Sequence, residues 1–106
     1  MSDFVMVYVS TSSRAEAERI ARVLLNERLV ACVNIIDSVS SHFQWDGKIE
    51  SVEECLLLMK SSADLFIVLE ERVRDLHSYD VPEIIAVPIV GGSKEYFSWM
   101  SGVLNR

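Results

Sequence analysis

The stretch that most constrains the fold of this chain runs from Val30 to Ser61, where two extended, mostly apolar arms meet at Asp46-Gly47. An Asp-Gly pair is typical of the two-residue turn of a β-hairpin. Each arm has about fifteen residues, which at roughly 3.3 Å per residue gives a hairpin about 45 Å long, twice the usual length. A chain of 106 residues is too small to cover such a hairpin. We therefore expect copies of the chain to assemble around it.

The two cysteines, Cys32 and Cys55, lie on opposite arms of this hairpin. With that turn, Cys32 is expected to face Ser61 and Cys55 to face Ser38. The two thiols are then about 20 Å apart, whereas a disulfide requires Cα atoms within about 7 Å. The sequence therefore predicts two reduced thiols, which is usual in a cytosolic protein.

Charge and hydropathy narrow the classes of partner. Ten Lys and Arg against sixteen Asp and Glu give a net charge of -6, which repels the phosphate backbone of nucleic acids. No apolar run approaches the roughly 18 residues needed to span a bilayer. The N-terminal residues Met1 to Phe4 lack the basic and apolar segments of a signal peptide. We expect one soluble, cytoplasmic domain, residues 1–106, that binds neither nucleic acid nor membrane.

The remaining segments complete a recognisable order of strands and helices. The run Phe4–Val9 is apolar throughout, which is typical of a central strand, and Glu83–Val90 has the pattern of another strand. Because Pro88 cannot donate a hydrogen bond to a neighbouring strand, that strand is expected at a sheet edge. Helices are predicted over about residues 13–28, 62–77 and 94–103. The order β-α-β-β-α-β plus a terminal helix predicts an α+β, ferredoxin-like split βαβ fold, with the first and third strands central.

This topology gives a second reason to expect assembly. The helices cover only one face of the sheet, whereas the first, third and fourth strands are apolar on both faces. A monomer would expose an apolar patch larger than the roughly 300 to 600 Å² usual for soluble monomers. A further copy of the chain is the simplest cover for it.

Four groups of residues carry a resemblance to a known family. They are Ala31-Cys32-Val33-Asn34-Ile35; Phe43-Gln44-Trp45-Asp46-Gly47-Lys48-Ile49 with Glu54 and Lys60; His77-Ser78-Tyr79-Asp80-Val81-Pro82-Glu83-Ile84; and Tyr96 with Trp99. In order and spacing, over nearly the whole chain, they resemble the CutA family of divalent-cation tolerance proteins. The resemblance implies a ferredoxin-like homotrimer with long hairpins exchanged around a threefold axis, and a link to copper and other divalent ions.

Two residues are the candidate metal ligands. Cys32 offers a thiolate, which is a soft ligand suited to copper, although a free cysteine is also a common buried apolar residue. His77 is the second candidate, with the alternative that it interacts with the negative end of the preceding helix.

The resemblance also favours a cleft between subunits. Glu54 and Lys60 are six residues apart on one strand and lie on one face if no bulge intervenes; a structural salt bridge is the alternative. The predicted inter-subunit cleft is lined by Trp45, Glu54, Lys60, Tyr79 and Glu83. The aromatic residues predicted to pack the trimer are Phe43, Trp45 and Trp99.

Several signatures of chemistry are absent from the sequence. It has no glycine-rich phosphate loop, no arguable Ser/His/Asp arrangement, and no CxxC or HxxxH metal spacing. Together with these absences, the resemblance implies a non-enzymatic homotrimer for divalent-cation tolerance, which binds a metal such as copper without requiring it as a cofactor. The alternative is a signalling or scaffold trimer, resembling the PII-type regulators, that binds a small ligand or a partner protein in its clefts. A hydrolase is the third class.

Overall fold

A computed structural model describes residues 3–105 of the protein. Met1, Ser2 and Arg106, the ends of the predicted domain, lie outside the described residues. The elements are β1 (Phe4–Thr11), α1 (Arg14–Asn26), β2 (Cys32–Trp45), β3 (Lys48–Ser62), a 3-10 turn (Ala63–Leu65), α2 (Phe66–Leu76), β4 (Ile84–Pro88) and α3 (Lys94–Leu104). Within the described range, no helix has the length and apolarity needed to cross a membrane.

The four strands form one antiparallel sheet in the order β2-β3-β1-β4. The first and third strands are central, as the predicted topology requires. Pro88 lies in the edge strand β4, paired with Val5 of β1, so its missing N–H costs no bond between strands. The α+β, ferredoxin-like split βαβ fold is therefore confirmed.

The core lies between the sheet and helices α1 and α2. Alternate residues of the central strands point toward the helices, as the period of a strand dictates. They pack against apolar side chains of both helices. The fully buried members include Val7, Val9, Leu57 and Met59 from the sheet, Ile20 and Leu24 from α1, and Leu69 and Val73 from α2.

The opposite face of the sheet is apolar and largely open. Ile36, Ile85 and Val87 on the outer strands are all at least 40% exposed. Helix α3 covers one end of the sheet, where Phe97 stacks on Phe4 with ring centroids 4.9 Å apart. The prediction that the strands are apolar on both faces therefore holds for the chain as folded.

The hairpin β2–β3 extends well beyond the other strands, and the molecule measures 44 × 25 × 23 Å. Its turn has positive φ at both central residues, 52° at Asp46 and 74° at Gly47, which is the pattern of a tight type I′ turn. Near this tip Trp45 is 54% and Ile49 76% exposed. The long hairpin and its turn are as predicted.

A β-bulge in β2 changes the predicted register. From the turn to the pair Val39–Glu54 the pairing follows the predicted rule, but Ile36 pairs with Leu56, so two residues of β2 lie opposite Cys55. Cys32 consequently pairs with Lys60, and the prediction that it faces Ser61 is wrong by one residue. The bulge turns Val33 and Ile35 toward the core, where they pack. Both cysteines are free, as expected.

The bulge is held by contacts to the helix layer. Asp37 in the bulge accepts a bond from Arg14 of α1 at 2.9 Å and lies 3.4 Å from the thiol of Cys55. The next residue, Ser38, has φ of 58°, a conformation that favours glycine.

The segment after α2 is attached to the start of α1 through Glu16. Its buried carboxylate accepts hydrogen bonds from the backbone N–H of Ser78 at 2.7 Å and from the N–H and hydroxyl of Ser12 at 3.3 and 3.1 Å. Burial raises the pKa of this carboxyl, but the bonds from Ser78 and Ser12 and the nearby His77 outweigh it, so the net pKa lies below its ordinary value. The network fixes residues 77–79 beside the end of β1.

Replacing Ser38 tests the bulge. Ser38→Gly should leave the free energy of unfolding unchanged or raise it by up to about 1 kcal/mol, because glycine adopts positive φ without steric cost. Ser38→Val should lower it by about 1 to 2 kcal/mol, because a branched side chain is strained there. Urea denaturation measures both. Equal stability of the two variants would contradict the conformation assigned to this residue.

Replacing Glu16 tests the attachment of the loop. Glu16→Gln should lower the free energy of unfolding by about 1 to 3 kcal/mol at pH 7, because bonds to a charged acceptor are lost. The folded-state pKa is depressed below 4.5, so this stabilisation is present above pH 4.5 and is lost as the pH falls through the folded pKa. Urea denaturation between pH 7 and pH 3 should show the difference from wild type shrinking.

The control for this variant is Glu18→Gln, on the exposed side of the same helix. Glu18 forms an exposed ion pair with Arg14, so its loss should cost no more than about 0.5 kcal/mol. A deficit of Glu16→Gln that does not change with pH would contradict the role of the charge.

Candidate functional site

A groove of about 730 Å³ lies between the distal hairpin and the segment that joins α2 to β4. The hairpin wall carries Phe43, Trp45, Glu50 and Glu54, and the facing wall carries Tyr79, Asp80, Val81 and Glu83. Ser10, near the end of β1, contributes to the lining.

The hairpin places these side chains on one face because of its register. Phe43 pairs directly with Glu50, and Val39 pairs with Glu54, and directly paired residues of an antiparallel ladder project on the same side. The bulge before Val39 allows the base of β2 to face the core while its outer half presents Phe43 and Trp45 to the groove.

Glu54 and Tyr79 form the most buried polar contact in the groove. The Tyr79 hydroxyl donates to Oε2 of Glu54 at 2.7 Å, and Glu54 is only 8% exposed. Burial, then the hydrogen bond to Glu54, raises the pKa of Tyr79 to about 12. The tyrosine therefore stays protonated at neutral pH and acts as a fixed donor to the carboxylate.

Glu83 stands on the same wall as Tyr79 but is exposed. One of its oxygens accepts from the hydroxyl of Ser10 at 3.4 Å, a long and weak bond. Four of the five residues predicted for the cleft, Trp45, Glu54, Tyr79 and Glu83, are therefore brought together by a single chain.

Lys60, the fifth, does not reach the groove. It lies at the base of the hairpin, where its ammonium contacts Oδ1 of Asn34 and is 3.7 Å from Sγ of Cys32. Glu54 and Lys60 thus contact different residues at different ends of β3. The alternative, a salt bridge between them, is not found among the described ion pairs. Tyr96 of α3 lies beside Cys32; burial, then that thiol, raises the pKa of its hydroxyl.

The side chain of His77 is buried, and both of its ring nitrogens are engaged. Nε2 lies 2.7 Å from the carbonyl oxygen of Ser10 and donates to it, while Nδ1 accepts the backbone N–H of Tyr79 at 3.0 Å. The imidazole ring has no exposure to solvent. His77 is therefore a positioning residue, because it connects the end of β1 to the backbone of Tyr79.

The two predicted metal ligands are not brought together within one chain. Lys60 of β3 pairs with Cys32 on one side and with Met6 of β1 on the other, so Cys32 lies level with Met6. His77 bonds Ser10 of β1, which is four residues, or roughly 13 Å, further along that strand than Met6. Within residues 3–105, no three His, Cys, Asp or Glu side chains are grouped so that they could hold a metal ion.

The structure adds two carboxylates that sequence reasoning missed, Glu50 and Asp80. The predicted register already paired Phe43 with Glu50, so this signal was present in the sequence. Asp80 had no such signal, because its place depends on the path of an irregular loop. The predicted packing residues Phe43 and Trp45 are exposed at the tip, and Trp99 is exposed on α3 against Tyr96, with ring centroids 5.4 Å apart.

Comparison with known proteins gives consistent matches. Residues 5–103 match the family model described as CutA1 divalent ion tolerance protein. The divalent-cation tolerance protein CutA of Thermus thermophilus is 43% identical, covering 90% of this chain and 92% of the relative. The chloroplastic protein CutA of Arabidopsis thaliana is 42% identical over 91% of this chain, which spans about half, 53%, of that relative.

The solved structures agree with these matches. The structure of the periplasmic divalent cation tolerance protein CutA from Archaeoglobus fulgidus superposes with a TM-score of 0.93 at 38% identity, covering 96% of this chain and 99% of that one. None of these three relatives carries the name of an enzyme.

The predicted cytoplasmic location is contradicted by the same relatives. One is chloroplastic and another is described as periplasmic, so neither the reduced thiols nor the start of the sequence identifies a cytoplasmic protein. Fold and sequence agree on the family nonetheless, because the match extends from β1 into α3. The chain belongs to the CutA1 family of divalent ion tolerance proteins.

Proposed function

We propose that this protein acts in divalent-cation tolerance as a non-enzymatic homotrimer that binds cations such as copper. Membership of the family supports the general role. The single structural observation that carries the proposal is the amount of apolar surface that one folded chain leaves exposed along its hairpin and on the open face of its sheet.

The exposed apolar residues lie where a neighbouring copy could cover them. Trp45 and Ile49 at the hairpin tip project far beyond the body of the chain, and Ile85 and Val87 lie on the open face. Since each buried Å² of apolar surface contributes about 25 cal/mol, covering both regions favours assembly. The tip of one copy and the open face of another are surfaces of matching chemistry.

Cys32 is the favoured metal contact of this proposal. It is partly exposed, whereas Cys55 is buried in the core beside Asp37, and burial, then Asp37, raises the pKa of the Cys55 thiol. A thiolate suits copper, and one chain offers a single accessible cysteine, so assembly increases the number of soft donors. His77 remains the second proposed ligand; its Nδ1 becomes available only if it releases the Tyr79 N–H.

The groove supports a second candidate function, a signalling trimer resembling the PII-type regulators that binds a small ligand. The groove is formed by one chain and is large enough for a small molecule. Its charge disfavours nucleotides and other phosphates, because four carboxylates line it and no lysine or arginine is found among the described lining residues.

Assembly through the hairpin can be tested by sedimentation. The wild type should sediment at three times 12.0 kDa, and Trp45→Glu should weaken association at least tenfold, because a charge replaces an apolar contact. Ile67→Glu is the matched control: Ile67 is 71% exposed but lies on α2, on the helical side. A monomeric wild type, or equal effects of the two variants, would contradict the proposed interface.

Metal binding can be tested by calorimetry on the metal-free protein with copper(II) and zinc(II). Cys32→Ser should weaken copper binding at least tenfold, because the thiolate is lost, and Cys55→Ser should change it less than twofold. Unchanged affinity in both Cys32→Ser and His77→Ala would contradict the proposed ligands.

A further inference from the structure

We propose that Cys32 and Lys60 form a reversible covalent cross-link. Oxidation by hydrogen peroxide joins the sulfur of Cys32 to the side-chain nitrogen of Lys60 as a sulfenamide. The pair is then a redox-sensitive modification site at the base of the hairpin. Formation of the link requires neither a bound metal nor the groove.

The β-bulge brings the two side chains together. Cys32 pairs directly with Lys60, whereas an unbroken register would place Ser61 opposite Cys32. Directly paired residues of an antiparallel ladder project to the same side, with Cβ atoms about 4.5 to 5.5 Å apart. The side-chain nitrogen of Lys60 lies 3.7 Å from Sγ of Cys32. Backbone pairing therefore keeps an amine beside an oxidisable sulfur.

Two further side chains border the pair. The Lys60 nitrogen contacts Oδ1 of Asn34, and the Tyr96 hydroxyl of α3 lies beside the Cys32 thiol. Both Cys32 and Lys60 are half-buried, so the sulfur is more accessible to a molecule the size of peroxide than to a larger thiol. The pair therefore lies at the end of the sheet that α3 borders, away from the hairpin tip.

The other cysteine of the chain is too far away to react with an oxidised Cys32. Cys55 lies five residues from Lys60 along β3, or roughly 17 Å, whereas a disulfide requires Cα atoms within about 7 Å. A sulfenic acid condenses with a thiol or with a nearby nitrogen. The amine of Lys60 is the nucleophile that the ladder places there.

The reaction has two steps and uses one equivalent of peroxide. First, the sulfur of Cys32 attacks one peroxide oxygen, the O–O bond breaks, and the departing hydroxide takes the thiol proton and leaves as water. Sulfur loses two electrons to the peroxide and becomes a sulfenic acid. Second, the Lys60 ammonium gives one proton to solvent and its nitrogen attacks the sulfur. The S–O bond breaks, and the hydroxyl group leaves with an amine proton as water.

The cross-link has one consequence for the proposed function. It consumes the thiol of Cys32, so an oxidised chain loses its accessible soft donor for a metal. This consequence, unlike the cross-link itself, rests on the proposed function. A dithiol reverses the link, because it attacks the sulfur, releases the amine of Lys60 and closes to its own disulfide as the Cys32 thiol is restored.

The test is peptide mass spectrometry on the whole, metal-free protein after treatment with hydrogen peroxide. Trypsin should release one species in which residues 29–48 are joined to residues 49–72, lighter than the two peptides together by two hydrogen atoms. It should be uncleaved after Lys60, because the amine of that residue is used. Dithiothreitol should remove the species. Oxidation of Cys32 to a sulfinic acid without the link, or no oxidation of Cys32, would overturn the proposal.

Matched variants identify the two linked atoms. Lys60→Arg keeps the positive charge but removes the amine, and should lower the yield of the link at least tenfold. Lys48→Arg, at an exposed position beside the hairpin turn, should change the yield less than twofold. Cys32→Ser should abolish the link, and Cys55→Ser should not. Equal yields in Lys60→Arg and Lys48→Arg would refute Lys60 as the partner.

A trapping experiment on the wild type covers the case in which Lys60→Arg does not fold. Dimedone reacts with sulfenic acids, so when added with the peroxide it should label Cys32 and lower the yield of the link at least twofold. An unchanged yield, or no label on Cys32, would contradict the proposed steps. Because no metal is present in any of these experiments, failure of the cross-link is distinguishable from failure of metal binding.

Discussion

The β-bulge opposite Cys55 is the constraint on which the rest of the structure depends. Because of the bulge, one long strand contributes to two surfaces. Val33 and Ile35, before the bulge, face the core, whereas Phe43 and Trp45, after it, face the groove. The contact of Asp37 with Arg14 ties the bulge to the helix layer. The core, the groove wall and the exposed tip therefore share one local irregularity.

Sequence periodicity accounts for the fold but not for this irregularity. Pro88 at an edge strand and the Asp46-Gly47 turn are local signals, and each is realised. The bulge has no glycine to announce it, since Ser38 takes the positive φ. The sequence nevertheless contains a sign of the bulge. In an unbroken register the polar Asn34 would face the core and the apolar Val33 would face the open side of the sheet.

The candidate site was predictable where it depends on strand register and unpredictable where it depends on loops and burial. Trp45 and Glu54 lie together as the ladder requires. Lys60 lies apart because six residues of strand separate it from Glu54, even though both share a face. The engagement of both His77 nitrogens depends on the path of residues 77–79, which periodicity does not describe.

Assembly and the groove share the same hairpin face, and this joins the two proposals thermodynamically. Phe43 and Trp45 line the groove and are also exposed at the tip, so a neighbour that packs on them becomes a wall of the groove. Any ligand that contacts that wall then binds assembled and separate chains with different affinities. By linkage, the ligand must shift assembly by the same free energy by which assembly shifts ligand binding.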